Sequence, residues 1–246
     1  MDESIAVVSD VHGNREALAA VLADIDARGI RQIFCLGDIV GYGEAGTGCL
    51  RTLRERDALC VQGNHDGNIA PPRDPGMRAE AHATLAREHD LLTEEERRWL
   101  QALPTERVVE DAVLLVHGAI TGRDDYILNS DAVKKNRDLL RERYGGIRFC
   151  CFGHTHLPMI IQGGKVEMAF AETTGVELDP FAAYLVNPGA VGQPRDRNPA
   201  ASYAVLAPAA NRLSIVRVPY DVAAEQARMR AAGLDERLTR RIAMGI

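Results

Sequence analysis

The sequence predicts a mixed α/β protein in which two β-sheets pack together, and three observations lead to this prediction. Short apolar runs that suit buried strands alternate with amphipathic helical segments over the first 61 residues. From Arg107 onward, short strand-like runs separated by Gly, Pro and Asn dominate the chain. The 246 residues are 46% apolar, enough to bury a large core, and we predict one domain spanning residues 1–246.

The first part of the chain predicts a parallel sheet. Residues 5–8 form a continuous apolar run, typical of a strand buried on both faces, and they end at a polar turn, residues 9–14. Apolar residues then recur at helical spacing before a second strand at residues 33–36, and another helix precedes a third strand at residues 58–61. This order predicts right-handed crossovers, so three polar loops reach one edge of the sheet, where open α/β sheets bind ligands.

The middle and end of the chain predict additions to this core. Proline and glycine breaks followed by two charged helical segments predict a helical insertion at about 67–105, beside or over the site, with Thr93 and Glu96 in a capping-box pattern. Asp221 and Asp235 cap two C-terminal helices within about 220–246, on which we expect the arginines to form a solvated face. A second, mixed or antiparallel sheet is predicted from the strand-like runs at 108–109, 113–116, 147–152, 158–161, 166–170, 183–186, 202–206 and 213–218, with a helix at 130–144.

Composition excludes several classes of function. A net charge of −6 and a pI near 5.7 give no general attraction for a polyanion, which argues against a nucleic-acid partner. Five irregularly spaced cysteines indicate buried, reduced thiols rather than disulfides. The first residues carry no basic signal, and no apolar run approaches the ~20 residues of a membrane span. We therefore expect a cytoplasmic protein without a membrane partner.

Polar side chains follow five of the predicted strands. They are Asp10 and His12, Asp38, Asn64 and His65, His117, and His154 and His156. Carboxylate, imidazole and amide oxygen are ligands of borderline divalent metals, so Mn, Fe or Zn fits better than Ca. We expect extended backbone at Asp10-x-His12 and His154-x-His156, where alternating side chains point the same way, so each pair can converge on an ion. One such histidine alone is more often a structural residue than a metal ligand, but five clusters together predict a metal centre.

The order of these motifs resembles the calcineurin-like metallophosphoesterase superfamily. The matching segments are Asp10-x-His12, Gly37-Asp38, Gly63-Asn64-His65-Asp66, His117 and Gly153-His154-x-His156, within residues 5 to about 206. The resemblance implies a four-layer αββα sandwich of two mixed sheets flanked by helices, with a binuclear centre. It implies one metal ion bound by Asp10, His12 and His156, a second bound by Asn64, His117 and His154, and Asp38 as the bridge.

The resemblance also implies a reaction. Two divalent transition-metal ions can share a hydroxide, which attacks phosphorus in line with the leaving group. Because His65 directly follows the metal ligand Asn64, we assign it to the leaving oxygen as a proton or hydrogen-bond donor. Asp66 either orients His65 or stabilises the turn.

Departures from relatives bear on the substrate. The Ser/Thr protein phosphatases of this superfamily have an Asp that pairs with the catalytic His and an Arg that grips phosphate, where this chain has Gly41 and Tyr42. The chain is more similar to small prokaryotic phosphodiesterase-like members, with their Gly-Asp-x-Val-Gly-Tyr-Gly segment at 37–43 and Asn-Pro-Gly at 187–189. We predict hydrolysis of a small phosphodiester or nucleotide. The alternatives are a phosphomonoesterase or protein phosphatase, and a non-catalytic metal-binding scaffold.

Three residues are candidates for substrate contact, each with a structural alternative. Arg195 offers a planar fork for a phosphate or nucleotide, or forms a salt bridge with Asp196 or another acid. Tyr42 stacks on a substrate base or packs internally. Asn14 contacts substrate or caps the first loop.

Overall fold

The computed structural model describes residues 3–163, 165–168 and 173–246. The strands are β1 (Ile5–Val8), β2 (Gln32–Cys35), β3 (Leu59–Cys60), β4 (Glu106–Val109), β5 (Val113–Val116), β6 (Phe149–Cys151), β7 (Met159–Gln162), β8 (Lys165–Met168), β9 (Thr174–Glu177), β10 (Tyr184–Asn187), β11 (Ala201–Ala207) and β12 (Arg212–Val218). The helices are α1 (Arg15–Ala27), α2 (Gly46–Glu55), α3 (Asn64–Gly67), α4 (Ala79–Leu91), α5 (Glu94–Ala102), α6 (Ser130–Arg143), α7 (Val222–Ala231) and α8 (Glu236–Met244).

The strands form two six-stranded mixed sheets. The first has the order β3-β2-β1-β11-β12-β9, in which β1, β2 and β3 are parallel and the other three strands pair antiparallel. The second has the order β4-β5-β6-β10-β7-β8, with β5, β6 and β10 parallel. The prediction of two sheets, the first begun by parallel crossovers, is confirmed. The assignment of the strands at 202–206 and 213–218 to the second sheet is wrong, because β11 pairs with β1 and β12 pairs with β11 in the first sheet.

The two sheets pack face to face and carry helices on their outer faces. Side chains of β1 alternate, so Ile5 and Val7 lie in the core between the sheets together with Phe149 of β6. Ala6 and Val8 point the other way, into the layer formed with α1 and α2. The outer face of the second sheet is covered by α6. Helix, sheet, sheet and helix layers make the αββα sandwich that the resemblance implies.

The loops after the parallel strands of both sheets meet at one edge. The backbone N–H of His154, after β6, donates to the Asp10 carboxylate after β1 at 3.1 Å. The His117 ring, after β5, lies 2.7 Å from the carbonyl oxygen of Leu36, after β2. Five predicted polar strand ends therefore converge on one place.

The insertion and the C-terminal helices pack beside this edge. Thr93 and Glu96 form the predicted capping box at the start of α5. Ala81 of α4 and Met229 of α7 bury the ring of Tyr42 in a small apolar cluster with residues of α8. No helix in the described ranges combines the length and apolarity needed to cross a membrane.

The structure differs from the sequence predictions in a few elements. The one-turn helix α3 contains Asn64 and His65, which we expected in a loop. The strand β9 has no counterpart among the predicted runs. The strand predicted at 166–170 is observed as Lys165–Met168, and Phe170 lies outside the described residues. All five cysteines are buried and free, as predicted.

Candidate metal centre

The backbone at the centre is held in an unusual conformation. Five of the predicted metal ligands have a left-handed φ, between 46° and 63°: Asp10, His12, Asp38, His154 and His156. Non-glycine residues adopt this region at a cost, and surrounding structure must hold them there. Asp10 N–H donates to Gly37 O at 3.0 Å, and His12 N–H donates to Asp38 O at 2.8 Å. The extended backbone we expected at the two paired motifs is therefore wrong, and a chain of loop-to-loop hydrogen bonds aims these side chains instead.

One group of donors consists of Asp10, His12 and His156, whose ligand atoms lie within 4.8 Å of one another. His156 Nε2 is 3.1 Å from Asp10 Oδ1 and 3.3 Å from His12 Nε2. Asp10 Oδ2 is occupied by the Ser9 hydroxyl at 2.6 Å and by a backbone N–H, whereas Asp10 Oδ1 is buried without a hydrogen-bond partner in the described part of the chain. A buried cluster of lone pairs without donors suits a cation.

A second group consists of Asp38, His117 and His154, again within 4.8 Å. His117 Nε2 lies 3.2 Å from His154 Nδ1 and 3.1 Å from Asn64 Oδ1. Asn64 therefore adds an amide oxygen to two imidazole nitrogens and a carboxylate, which is a donor set for a borderline divalent ion.

Backbone carbonyls fix the tautomer of three histidines. Nδ1 lies 3.2 Å from Val40 O in His12, 2.7 Å from Leu36 O in His117 and 2.6 Å from Gln193 O in His156. A carbonyl oxygen only accepts, so each Nδ1 carries a proton, and in the neutral form of each ring Nε2 turns its lone pair towards the centre. Such outer hydrogen bonds orient histidine ligands in metal sites.

Burial sets the charge of these groups. Burial lowers the pKa of His12 and of His156, and it lowers that of His154 to about 4, which favours the neutral form that a metal ligand needs. Burial opposes ionisation of Asp10, but the nearby His156 outweighs it and lowers the carboxyl pKa. His117 is the exception: burial lowers its pKa, but attraction to Asp38 raises it to about 9. Positive charge is thus favoured where Asp38 faces His117.

A single oxygen of Asp38 lies between the two groups. Asp38 Oδ2 is 3.6 Å from His12 Nε2 and 3.4 Å from His117 Nε2. The other oxygen, Oδ1, accepts the backbone N–H of His65 at 2.8 Å. One carboxylate oxygen is therefore free to touch two neighbouring ions.

His65 stands at the mouth of the centre. Its ring meets that of His12 edge-on, with centroids 4.8 Å apart, and lies 4.6 Å from the ring of Tyr42. One ring nitrogen also falls within 4.8 Å of donors on His12 and Asp38, and Nδ1 is buried without a hydrogen-bond partner among the described residues. Gly41 has φ 88°, and a Cβ there would collide with this Nδ1. The glycine thus leaves the space that His65 occupies.

Asp66 stabilises the turn, the alternative role that the sequence left open. Its two oxygens accept four backbone N–H groups, from Asp38 at 2.8 Å, Ile39 at 2.9 Å, Val40 at 3.3 Å and Gly63 at 3.0 Å. Burial and the nearby Asp38 raise the pKa of Asp66 to about 7, while these donors act in the opposite direction. No hydrogen bond to the His65 ring is among these contacts, so Asp66 shapes the loop that carries Asp38 rather than orienting His65.

Asn14 caps the first helix, which is the structural alternative considered for it. Its side-chain oxygen accepts the Ala17 N–H at 3.0 Å at the start of α1. Its amide nitrogen donates to Gly192 O at 2.9 Å and to the Tyr220 hydroxyl at 3.1 Å, and the residue is buried. Its side-chain oxygen and nitrogen are both engaged within the protein, which leaves neither for a substrate.

Beside the centre lies a cavity of about 390 Å³, which we call the outer cavity. It is lined by Tyr42, Asn64, His65, Asn68, Asp74, Gly76, Met77, Arg78, Ala81, Asp124, Tyr126, His154, Arg195 and Arg241. Both remaining substrate candidates, Arg195 and Tyr42, are in this lining. The salt bridge to Asp196 that we considered for Arg195 is not formed, because Asp196 pairs with Arg217.

Three lining residues were missed by the sequence reasoning. Arg241 of α8 turns into the outer cavity, whereas Arg237 and Arg240 on the same helix are 80% and 71% exposed, so only those two fit the predicted solvated face. Arg78 precedes α4, and Tyr126 stacks on His154 with centroids 4.1 Å apart. No local motif marks these positions, because distant segments bring them together.

Comparison with known proteins agrees with this geometry. A family model described as a calcineurin-like phosphoesterase superfamily domain matches residues 4–211. An uncharacterized protein of Methanocaldococcus jannaschii is 34% identical over 253 residues, which covers 98% of each protein. The crystal structure of a metallophosphoesterase from Sphaerobacter thermophilus superposes with a TM-score of 0.86 at 34% identity over 99% of both chains. A hypothetical protein from Pyrococcus horikoshii shares the fold, with a TM-score of 0.77 at 19% identity over 99% and 98% of the two chains.

Proposed function

Because the chain belongs to the calcineurin-like phosphoesterase superfamily, we propose that it hydrolyses a small phosphodiester or nucleotide with two divalent transition-metal ions, Mn, Fe or Zn. The observation that carries the proposal is the position of Asp38 Oδ2 between two separate donor groups. Two bound cations activate water and neutralise phosphoryl charge as it develops.

The chain's residues divide this work. Asp10, His12 and His156 hold one ion, and Asn64, His117 and His154 hold the other, with Asp38 shared. The buried Asp10 Oδ1 without a partner and the inward-facing Nε2 atoms support this assignment. Backbone carbonyls behind three of the rings keep these lone pairs aimed without further reorganisation.

His65 serves the leaving group. It lies at the opening between the centre and the outer cavity. Its Nδ1 is buried against Gly41, so the other ring nitrogen, Nε2, is left to meet an incoming oxygen. A donor placed there stabilises charge that develops on the departing oxygen. Asp66 contributes indirectly, because it holds the turns that carry Asp38 and His65.

A small diester fits the surroundings better than a phosphoprotein. The outer cavity, at about 390 Å³, is in the range of small-molecule sites, and residues of the insertion wall one side. Gly41 and Tyr42 provide neither an acid to pair with His65 nor a cation to grip a monoester dianion beside it. Arg195 supplies a guanidinium from the loop after β10. The ring of Tyr42 is held in place by Ala81 and Met229, and it offers a surface for one substituent of the phosphate.

The proposal is tested with manganese-loaded protein and two chromogenic esters, bis-p-nitrophenyl phosphate and p-nitrophenyl phosphate. We expect a higher kcat/KM for the diester, and strong loss in Asn64→Ala and His65→Ala. His82→Ala is the matched control, because this half-buried histidine belongs to α4 and to neither donor group. Wild-type turnover no faster than that of the two variants, with metal bound, contradicts the proposal.

A further inference from the structure

Three arginines from distant segments line the outer cavity. Arg195 follows β10, Arg78 precedes α4, and Arg241 belongs to α8. Neither Arg78 nor Arg241 is needed to hold the metal centre, and neither belongs to a motif of the sequence. Their convergence is a property of the folded chain alone.

Arg241 lies close to the reacting position but not at it. Its guanidinium carbon is 6.0 Å from the centroid of the Tyr42 ring, and the imidazole rings of His65 and His12 lie 4.6 Å and 4.8 Å from the same centroid. The guanidinium is therefore one aromatic ring away from the residue we assign to the leaving group. A group bound by Arg241 sits next to the scissile phosphate rather than on it.

Among the described residues, none of the three arginines forms an ion pair with an Asp or Glu side chain. The two aspartates of the lining have other partners: Asp124 pairs with Arg123 at 3.1 Å, and Asp74 accepts the backbone N–H of Gly76 at 2.8 Å. Glu80 of α4 also attracts Arg241, but its ion pair is with Arg237 at 3.5 Å.

Some N–H groups of these arginines have no hydrogen-bond acceptor among the described residues. Arg195 donates to the neutral Gln193 side chain at 3.3 Å, and its Nε is buried without a partner among the described residues. Arg241 Nε donates to the backbone oxygen of Ile246 at 2.8 Å, and no other donor of this guanidinium has a hydrogen bond among the described residues. Burial first and then repulsion by Arg195 and Arg78 lower the pKa of Arg241, which is the mark of like charges held near one another. An anion in the outer cavity relieves this repulsion and takes up the free donors.

We propose that Arg241, Arg195 and Arg78 form a second anion subsite, so that the enzyme selects phosphate esters bearing a second phosphate next to the scissile one. The inference rests on the proposed function, because it treats the metal centre as the seat of the first phosphate. The guanidinium fork suits a phosphate better than a carboxylate of lower charge. Tyr126, 48% exposed and stacked on His154, offers an aromatic face at the opposite wall for a base or ring of the same substrate.

The test compares two ligands that differ by one phosphate. Thymidine 3′,5′-bisphosphate and thymidine 5′-monophosphate are titrated calorimetrically into manganese-loaded wild-type protein. We expect the bisphosphate to bind at least about tenfold more tightly, since it gains charge-assisted hydrogen bonds in the subsite. Arg241→Ala and Arg78→Ala each reduce this ratio several-fold. The Arg78 side chain is exposed and forms no hydrogen bond or ion pair among the described residues, so Arg78→Ala is expected to fold. It therefore tests the subsite even if Arg241→Ala fails to fold.

Arg240→Ala is the control, because it removes the same charge from an exposed position beside Arg241 and leaves the ratio unchanged. Equal affinity of the wild type for both ligands, or an equal fall of the ratio in the Arg240 variant, overturns the subsite. The readout is an affinity and not a rate of hydrolysis, so this result is independent of the proposed function. An inactive enzyme that still prefers the bisphosphate counts against hydrolysis and not against the subsite.

Discussion

The metal centre is built from loops that follow core strands, whereas the wall of the outer cavity is built from the insertion and the C-terminal helices. Asp10, His12, Asp38 and His156 are all at most 2% exposed, and hydrogen bonds between loops hold their left-handed backbone. Each such non-glycine residue costs about 1–3 kcal/mol, which only a rigid surrounding sustains. Across the cavity, Arg78 is exposed and α8 is tied to α4 by the surface pair of Arg237 and Glu80.

This difference teaches where catalysis and selectivity are encoded. The predicted metal ligands belong to short sequence motifs at strand ends, because each ligand must be held by the core. The cavity wall uses single residues on peripheral helices, whose surface ion pairs contribute little to stability. Substitutions in the centre are therefore expected to abolish function, and substitutions in the wall to change substrate preference.

Replacing one ligand of the centre has the largest expected effect. His156→Ala removes a nitrogen that faces Asp10 Oδ1 and His12, so one ion is lost or displaced. We expect kcat/KM on the diester to fall on the order of 10³-fold or more, since a metal ion contributes several kcal/mol of transition-state stabilisation. Steady-state kinetics with metal analysis of the same sample measures this. Comparable loss in His82→Ala refutes a specific role of the centre.

Glu225 of α7 is a fully buried acid in the peripheral region, so it tests whether the C-terminal helices contribute to the stability of the fold. Burial raises the pKa of Glu225 to about 7, repulsion by Glu44 and Glu16 adds to this, and Glu225 Oε1 has no partner among the described residues. The unfolded side chain loses its proton near 4.5 while the folded one keeps it to about 7. The folded state therefore loses stability as pH rises through this window.

Glu225→Gln removes that dependence. We expect the variant to be more stable than wild type at pH 8 by on the order of 2 kcal/mol, with the difference shrinking at pH 5. Urea unfolding at both pH values measures it, and Glu55→Gln, at an exposed position of α2, serves as control. If the variant loses as much stability between pH 5 and pH 8 as the wild type does, Glu225 is not the source of the pH dependence.

Gly41 tests the border between the two regions. Gly41→Ala puts a methyl group against His65 Nδ1 at a φ of 88°, so the ring must move. We expect kcat to fall about tenfold, as expected for a misplaced proton donor, with a loss of stability of about 1 kcal/mol. Gly48→Ala is the matched control, because open space surrounds its Cβ position and its helix gains stability. If Gly41→Ala keeps full activity, catalysis does not depend on the position of the His65 ring.

Arg195 gives the smallest effect. Arg195→Ala removes a guanidinium from the cavity but no metal ligand, so we expect KM for the diester to rise several-fold with kcat less affected. Arg197→Ala, two residues on and exposed, is the control. A fall in kcat as large as that of a metal-ligand variant places Arg195 in the chemical step and breaks the division we draw.

The same division explains what the sequence predicted. The strands Ile5–Val8 and Val113–Val116 were predicted residue for residue, because strands buried on both faces read as unbroken apolar runs. Their polar ends converge as expected, although the left-handed backbone there was not foreseen, since the loop-to-loop hydrogen bonds that impose it join distant segments.

Other features carried no usable signal. The strand Thr174–Glu177 contains a glycine and lies at an edge of its sheet, so it lacks an apolar pattern. Arg241 looks like its exposed neighbours along the chain, and only the packing of α8 against Tyr42 turns it inward. Asp66 follows His65 directly, yet its carboxylate points back to the backbone of the Asp38 loop.

The most direct test of the central claim is an anomalous difference map from crystals of the manganese-loaded protein. We predict two peaks about 3.5–4 Å apart, one among Asp10, His12 and His156 and one among Asn64, His117 and His154, with Asp38 Oδ2 between them. A single peak, or an ion bound by His65 in place of either group, contradicts the account.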